Sequence, residues 1–429
     1  MIPVRRPKAL GGIPALIVLA NAQYRRVWGA GTLTELSRRV EQFTLSWYVL
    51  LDTDSPFALG LILVFLFVPR SVFAPIAGII ADRLNRTYAL RAMQTVNVLN
   101  SSAILVLIAT GNIQPVFAFA SMLVQGATWT MDQPIRRTSM FDLVGPGQII
   151  SGVALDTLGF TVGRMAGPLL AGIFLGVFGF SEAYALALSI HLAALGLLVA
   201  TRIPPHPPGP PRGTMLGGLV EAARYSASVP TLLAVVFLTL VMNGLGFPAQ
   251  QFVPDIGKNH LMVGAALVGL LVAAEGFGQL VGAAVMASVR QLPDHGKVFI
   301  IGSVSILTAA MTFVWSPWYA LTFVILSLGG LGQAAYSTMQ SSLAMLYAPP
   351  EMRGQVLGIL GVCIGFSTPL GTLEIGALAT AFSTQWALSL NALAGLLLMA
   401  PVVLMLPITR PPTPGPTPGP TSGDEEPGS

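Results

Sequence analysis

Apolar stretches of about 20 residues, broken by short polar or proline-bearing segments, recur along nearly the whole chain. A helix that crosses a bilayer needs about that many mainly apolar residues. The pattern predicts spans at 28–50, 57–80, 88–110, 115–137, 150–177, 182–201, 229–252, 262–289, 297–315, 318–345, 355–380 and 384–406. Between the sixth and seventh spans, Ile203 to Gly213 carries prolines too densely for a helix interior and reads as a linker. Met215 to Ser226 then predicts a short amphipathic helix on the membrane surface. The predicted fold class is an all-α membrane protein with twelve transmembrane helices in two six-helix pseudo-symmetric halves. Its parts are an N-terminal segment at 1–27, bundles at 28–201 and 229–406, a linker at 202–228 and a disordered Pro-rich tail at 407–429.

Composition agrees. Of 429 residues, 53% are hydrophobic and 9% charged, against roughly 25% charged in a soluble chain. The net charge of +4 is small and its basic residues form short clusters, which argues for membrane orientation and against nucleic-acid binding. With the N-terminus in the cytoplasm, most of the 22 Lys and Arg fall in or beside cytoplasmic segments. Lys258 falls outside, and Arg38, Arg39, Arg70 and Arg164 lie inside spans. The positive-inside rule therefore predicts an even number of spans with both ends cytoplasmic. A single cysteine, Cys363, excludes an internal disulfide and a cysteine-based metal cluster, and no cleavable signal is evident. The halves echo each other weakly. Leu143-Val144-Gly145-Pro146 matches Tyr347-Ala348-Pro349-Pro350 in position, and Gly163 to Pro168 matches Gly365 to Pro369 with a one-residue gap.

The most specific motif is Gly78-Ile79-Ile80-Ala81-Asp82-Arg83-Leu84-Asn85-Arg86, at the end of the second span. Gly78 permits close helix packing, Asp82 can cap or pair with a neighbouring helix end, and Arg83 and Arg86 can anchor to headgroups or carboxylates. This loop resembles the signature of the major facilitator superfamily. Pro69-Arg70, Pro134-x-Arg136-Arg137, Gly163-Arg164-x-x-Gly167-Pro168 and Pro350-Glu351-Met352-Arg353-Gly354 are similar to the branch of macrolide-efflux pumps and enterobactin exporters. The resemblance implies the major facilitator fold and a gate in which Gly78, Asp82, Arg83 and Arg86 hold the halves together. The Gly-Pro motif of the fifth span resembles one associated with antiporters. Met286 stands where the second half would repeat Asp82, leaving Arg290 alone there.

Ionisable residues inside spans are costly and default to functional candidates. Glu35, Arg38, Arg39, Gln42 and Ser46 share one face of the first span, opposite Leu36, Val40, Phe43 and Trp47. The stripe predicts a cavity lining, or else a set of intrahelical ion pairs such as Glu35 with Arg39. The fourth span carries a similar stripe, Gln125, Thr128, Trp129, Asp132 and Arg136, which offers Gln125, Trp129 and Asp132 as cavity candidates, while Asp132 and Arg136 can also pair. Asn243, Phe247 and Gln250 in the seventh span, and Gln333, Tyr336, Ser337 and Gln340 in the tenth, suit an amphipathic organic solute; they suit interhelical packing equally. Arg70 and Arg164 sit mid-span, to bind an anionic substrate or to pair with a carboxylate such as Glu41 or Asp156. Glu275 and Glu374 are each the only ionisable group in a span core, which makes them candidate proton carriers; Glu41 and Asp156 are further proton-coupling candidates. His191 reads as a hydrogen-bonded packing residue.

No nucleotide-phosphate loop and no hydrolase spacing is present, so the energy source expected is an ion gradient. No enzyme activity, cofactor or metal is expected. The sequence points to a proton-coupled exporter, an antiporter, of an amphipathic small molecule such as a drug or siderophore. A nutrient importer or uniporter and a non-transporting membrane sensor are the alternatives. The partners implied are that solute, protons or another coupling ion, and membrane lipids. The location implied is the bacterial inner membrane, and the chain would act there as a monomer.

Overall fold

A computed structural model describes residues 18–83, 85–144, 148–203, 215–288, 294–349 and 351–405. The side chains of residues 73–84 lie outside the described residues, and so do Arg290, the linker 204–214 and the tail from 406. The described chain is helical. In order come α1 (Ala22–Thr53), α2 (Pro56–Arg83), α3 (Arg86–Ala109), α4 (Pro115–Val144), α5 (Ile149–Val177) and α6 (Phe180–Val199). The short α7 (Met215–Ser228) follows, then α8 (Pro230–Val241), α9 (Ala265–Ser288), α10 (His295–Phe313), α11 (Tyr319–Tyr347), α12 (Arg353–Ala381) and α13 (Thr384–Met405).

Caps set the ends that hydropathy leaves vague. The Asn21 side-chain oxygen accepts the N–H groups of Gln23 at 3.0 Å and Tyr24 at 3.3 Å, so α1 starts ahead of its apolar window. Asn85 does the same for Thr87 and Tyr88 at the start of α3. Among the described residues, nine helices are long and apolar enough to cross a membrane. The long helices α1 and α4 are not among them, since α1 carries Glu35, Arg38, Arg39 and Glu41 mid-length and α4 carries the Gln125–Asp132 stripe; in α2 the stretch Pro56–Val72 is apolar.

Helices α1–α6 pack among themselves, as do α8–α13, and the two sets meet through α2 against α12 and α5 against α9. Glycines allow the close crossings. A Cβ added at Gly269 of α9 would lie 2.4 Å from the Pro168 carbonyl oxygen of α5. Hydrogen bonds and ion pairs between the sets run from mid-helix to the end carrying the α1–α2, α5–α6 and α12–α13 turns. They include Ser71 Oγ to the Gly365 carbonyl at 2.7 Å, Gln251 Nε2 to Ser46 Oγ at 3.1 Å and Lys258 Nζ to Asp54 Oδ1 at 2.7 Å. An apolar cluster around Val40, Trp47, Leu50, Phe252, Val268 and Phe313 fills that end. Lipid is as apolar as these side chains, so the cluster gains mainly from close packing.

Beyond Val241, α8 departs from α-helical geometry. Met242–Gly246 is a π turn, Phe247–Phe252 a 3₁₀ stretch and Ile256–His260 a second π turn. Pro248 and Pro254 have no N–H to return to the preceding turn, which removes two helical hydrogen bonds. The Gly244 carbonyl, which a residue at 248 would otherwise bond, lies against Gly371 of α12. A Cβ there would come within 1.7 Å of the oxygen.

Candidate functional site

Side chains from both sets line a cavity of about 380 Å³ between them. α1 supplies its polar face. Glu35 and Arg38 are buried, with Arg38 Nη2 donating to Glu35 Oε2 at 2.5 Å and Arg39 Nε to Glu35 Oε1 at 2.9 Å. Arg39 Nη1 also donates to Gln42 Oε1 at 3.2 Å. The stripe is thus an intrahelical ion-pair set whose members also line this cavity. Gly163 and Gly167 bring α5 onto this face, since a Cβ at Gly167 would lie 2.3 Å from that of Arg39.

The first set also contributes Gln125 and Trp129 from α4, Arg70 from α2 and Arg164 from α5. The second set contributes Asn243, Phe247, Gln250 and Gln251, then Glu275 and Gln279 of α9, and Gln333, Tyr336, Ser337 and Gln340 of α11. Tyr336 is held between Phe247, edge-on at 5.3 Å, and Phe299, stacked at 5.0 Å. Gln340 Nε2 donates to Thr239 Oγ1 at 2.7 Å and to the Tyr336 hydroxyl at 3.0 Å.

The sets meet electrostatically at Arg164. Its Nη2 donates to Gln250 Oε1 at 2.9 Å and lies 3.6 Å from Glu275 Oε1, and Gln250 Nε2 donates to the same carboxylate. Glu275, the only ionisable group in its own span core, therefore has two partners. Both come from other helical segments, which spacing along α9 cannot reveal.

Other candidates fall elsewhere. Asp132 is off the cavity wall, bonded to Arg136, and Arg136 in turn lies on Gly31 of α1, where a Cβ would stand 2.1 Å from Nη1. Glu41 does not pair with Arg164. It is buried beside the cavity, where Gln125 Nε2 donates to it and His191 Nε2 lies 3.5 Å away. His191 is hydrogen-bonded by Gln94, as a packing residue would be, but it also faces this carboxylate. Asp156 lies 3.5 Å from Arg137. Glu374 is exposed on the outward face of α12 and takes no part in the cavity. In the gate motif Arg86 bonds Asp142 of α4; the side chains of Gly78, Asp82 and Arg83 lie outside the described residues.

Sequence reasoning missed Gln251, Gln279, Phe67 and Phe160 in the wall. Gln251 enters because the irregular segment is wedged among helices of the first set: Gln250 meets Arg164 of α5 at 2.9 Å, while its neighbour Gln251 meets Ser46 of α1 at 3.1 Å.

A family model described as transmembrane secretion effector matches residues 13–413. The chain belongs to that family, a branch of the major facilitator superfamily. It is therefore a multi-pass membrane protein of a transporter family. Among curated proteins it is similar to the enterobactin exporter EntS of Citrobacter koseri (strain ATCC BAA-895 / CDC 4225-83 / SGSC4696), 26% identical over 262 residues. That match covers 60% of this chain and 62% of the relative, so it spans about three fifths of each. Among solved structures, a point mutant of the nucleoside transporter NupG superposes with a TM-score of 0.71 at 14% identity, covering 89% of this chain and 99% of that one. A bacterial homologue of the human lysosomal transporter Spinster, inward-facing and unoccupied, superposes with a TM-score of 0.64 at 18% identity, covering 93% and 96%. These likenesses show a shared fold.

Proposed function

We propose that this family member is a proton-coupled exporter of an amphipathic small molecule, such as a drug or siderophore, working by alternating access. The observation that carries this reading is the Arg164–Gln250–Glu275 junction, where a group from one helix set meets a carboxylate of the other at the cavity wall. Protonation of Glu275 removes its charge and weakens its hold on Arg164, so proton binding and the relative position of the sets become linked. A solute that engages Arg164 or Gln250 competes for the same partners. Coupling of proton and solute needs that competition.

The architecture in this reading is twelve spans in two six-helix bundles, 28–201 and 229–406, joined by the linker 202–228, in the bacterial inner membrane with both termini cytoplasmic. The bonds between the sets then lie toward the outer side, and the cavity opens inward. Gly78, Asp82, Arg83 and Arg86 would close the opposite side. Similarity to an enterobactin exporter supports export of an amphipathic solute.

The test is solute accumulation in inverted membrane vesicles under an imposed pH gradient, read with a panel of fluorescent amphipathic compounds. Gradient-driven uptake into these vesicles is the expected result. Uptake only with the opposite gradient would make the protein an importer, and no uptake of any compound would leave a membrane sensor.

A further inference from the structure

The four arginines of the cavity wall are not equivalent. Arg38 and Arg39 share Glu35, and Arg164 has Glu275. Arg70 makes no hydrogen bond or ion pair to any described residue. It stacks instead on rings, with its guanidinium carbon 3.6 Å from the centroid of Trp129 and 4.8 Å from that of Phe67. The charges that act on it are Arg38, Arg39 and Glu35, two more cations against one anion. With two carboxylates, Glu35 and Glu275, facing four guanidinium groups, the wall carries a positive excess.

An arginine keeps its proton in a protein, so this charge can be balanced only by an anion. Stacking on an indole engages the flat face of a guanidinium and leaves the in-plane N–H donors available, in a fork that fits a carboxylate or a related oxyanion. A second donor stands beside them: the indole Nε1 of Trp129 is buried and has no acceptor among the described residues. A buried donor that no protein group satisfies is open to water or to a ligand acceptor, and this one belongs to the ring on which Arg70 stacks. Phe67, Leu63 and Leu66 supply an apolar surface next to these donors.

We infer that Arg70 and Trp129 form an anion-recognition subsite of the cavity. Its ligand is an organic oxyanion joined to a flat apolar ring system, with the oxyanion on the Arg70 fork and the ring against the Phe67 side. The inference rests on the cavity being the solute site, and it names the charge class of that solute. An anionic lipid headgroup offers the same oxyanion chemistry without the ring.

Equilibrium binding tests it without requiring transport. The protein is placed in phosphatidylcholine nanodiscs and titrated with three probes of one shape: 1-naphthoate, 1-naphthamide and 1-naphthylmethylammonium. Tryptophan fluorescence and the unfolding temperature are read together, because a ligand of the folded state raises the latter. Saturable naphthoate binding is expected, at least about tenfold tighter than the amide and tighter still than the ammonium probe, since hydrogen bonds to charged groups are the strong ones. Arg70→Gln should abolish the preference for naphthoate over the amide. Arg70→Lys, which keeps charge and bulk, should retain a reduced preference and separates loss of recognition from loss of folding. Trp129→Phe should weaken naphthoate several-fold. Equal affinity for the three probes, no saturable naphthoate binding, or an unchanged preference in folded Arg70→Gln would overturn the assignment. Displacement of naphthoate by added phosphatidylglycerol would overturn it in favour of a headgroup site. If naphthoate binds as expected but vesicles show no gradient-driven flux, the transport reading fails while the subsite stands.

Discussion

Arg164 of α5 and Glu275 of α9 lie 3.6 Å apart across the boundary between the two helix sets. Glu374, the other isolated glutamate of the second set, faces outward from α12. The two carboxylates should therefore separate on substitution. Glu275→Gln should keep solute binding within a few-fold and lose pH-driven accumulation in inverted vesicles, because an amide cannot carry the proton. Glu374→Gln should leave accumulation near the wild-type level. Full pH-coupled transport by Glu275→Gln would remove it from the coupling mechanism.

The close contact of Gly371 with the Gly244 carbonyl predicts a packing defect. A Cβ at 371 would stand 1.7 Å from a backbone oxygen that cannot rotate away. Gly371→Ala should lower stability by roughly 1–3 kcal/mol, the usual scale of overpacking, seen as a lower midpoint in detergent thermal unfolding. Gly361 on the same helix has open space around its would-be Cβ, and Gly361→Ala should move the midpoint little.

Much of this arrangement was legible in the sequence. The described helices lie near the expected apolar runs, and polar residues at helical spacing picked out cavity-facing positions on α1, on α11 and in the irregular segment after α8. Spacing along one helix reports which residues share a face, but it does not report partners on other helices. That is why Glu275 showed few local partners, why Glu41 was offered to Arg164 and not to His191, and why Asp132 was offered to the cavity although it bonds Arg136 off the wall. The seventh span was expected as one helix over 229–252, so neither the irregular backbone after Val241 nor the contact of Gln251 with Ser46 was foreseen.

The pair of Glu41 and His191 should behave as one buried unit. Both side chains are fully buried, and Gln94 Nε2 bonds the His191 carbonyl at 2.8 Å while facing Nδ1 at 3.1 Å. His191 Nε2 lies 3.5 Å from Glu41 Oε2, and neither Nε2 nor Glu41 Oε1 has a hydrogen-bond partner among the described residues. His191→Leu replaces the polar ring beside the carboxylate by an apolar group and should cost about 1–3 kcal/mol, the scale for leaving a buried polar group less well satisfied. Adding Glu41→Leu should restore part of the loss. Unfolding of the two single variants and the double variant gives the coupling, and strict additivity would mean that the residues do not interact.

The contacts that close one end of the cavity predict a conformational lock. Lys258 Nζ bonds Asp54 Oδ1 at 2.7 Å and the Leu50 carbonyl at 3.2 Å, tying the end of α1 to the end of the α8 segment. If transport requires this end to open, bridging the two positions should stop it. In a Cys363→Ser background, which removes the native thiol, Asp54→Cys and Lys258→Cys joined by a short bismaleimide should block vesicle accumulation. Each single cysteine treated alike should transport. Solute binding from the open end should survive the bridge, because the cavity residues are untouched. A bridged protein that transports at the unbridged rate would show that these ends stay together through the cycle, and opening would then have to occur between other helices.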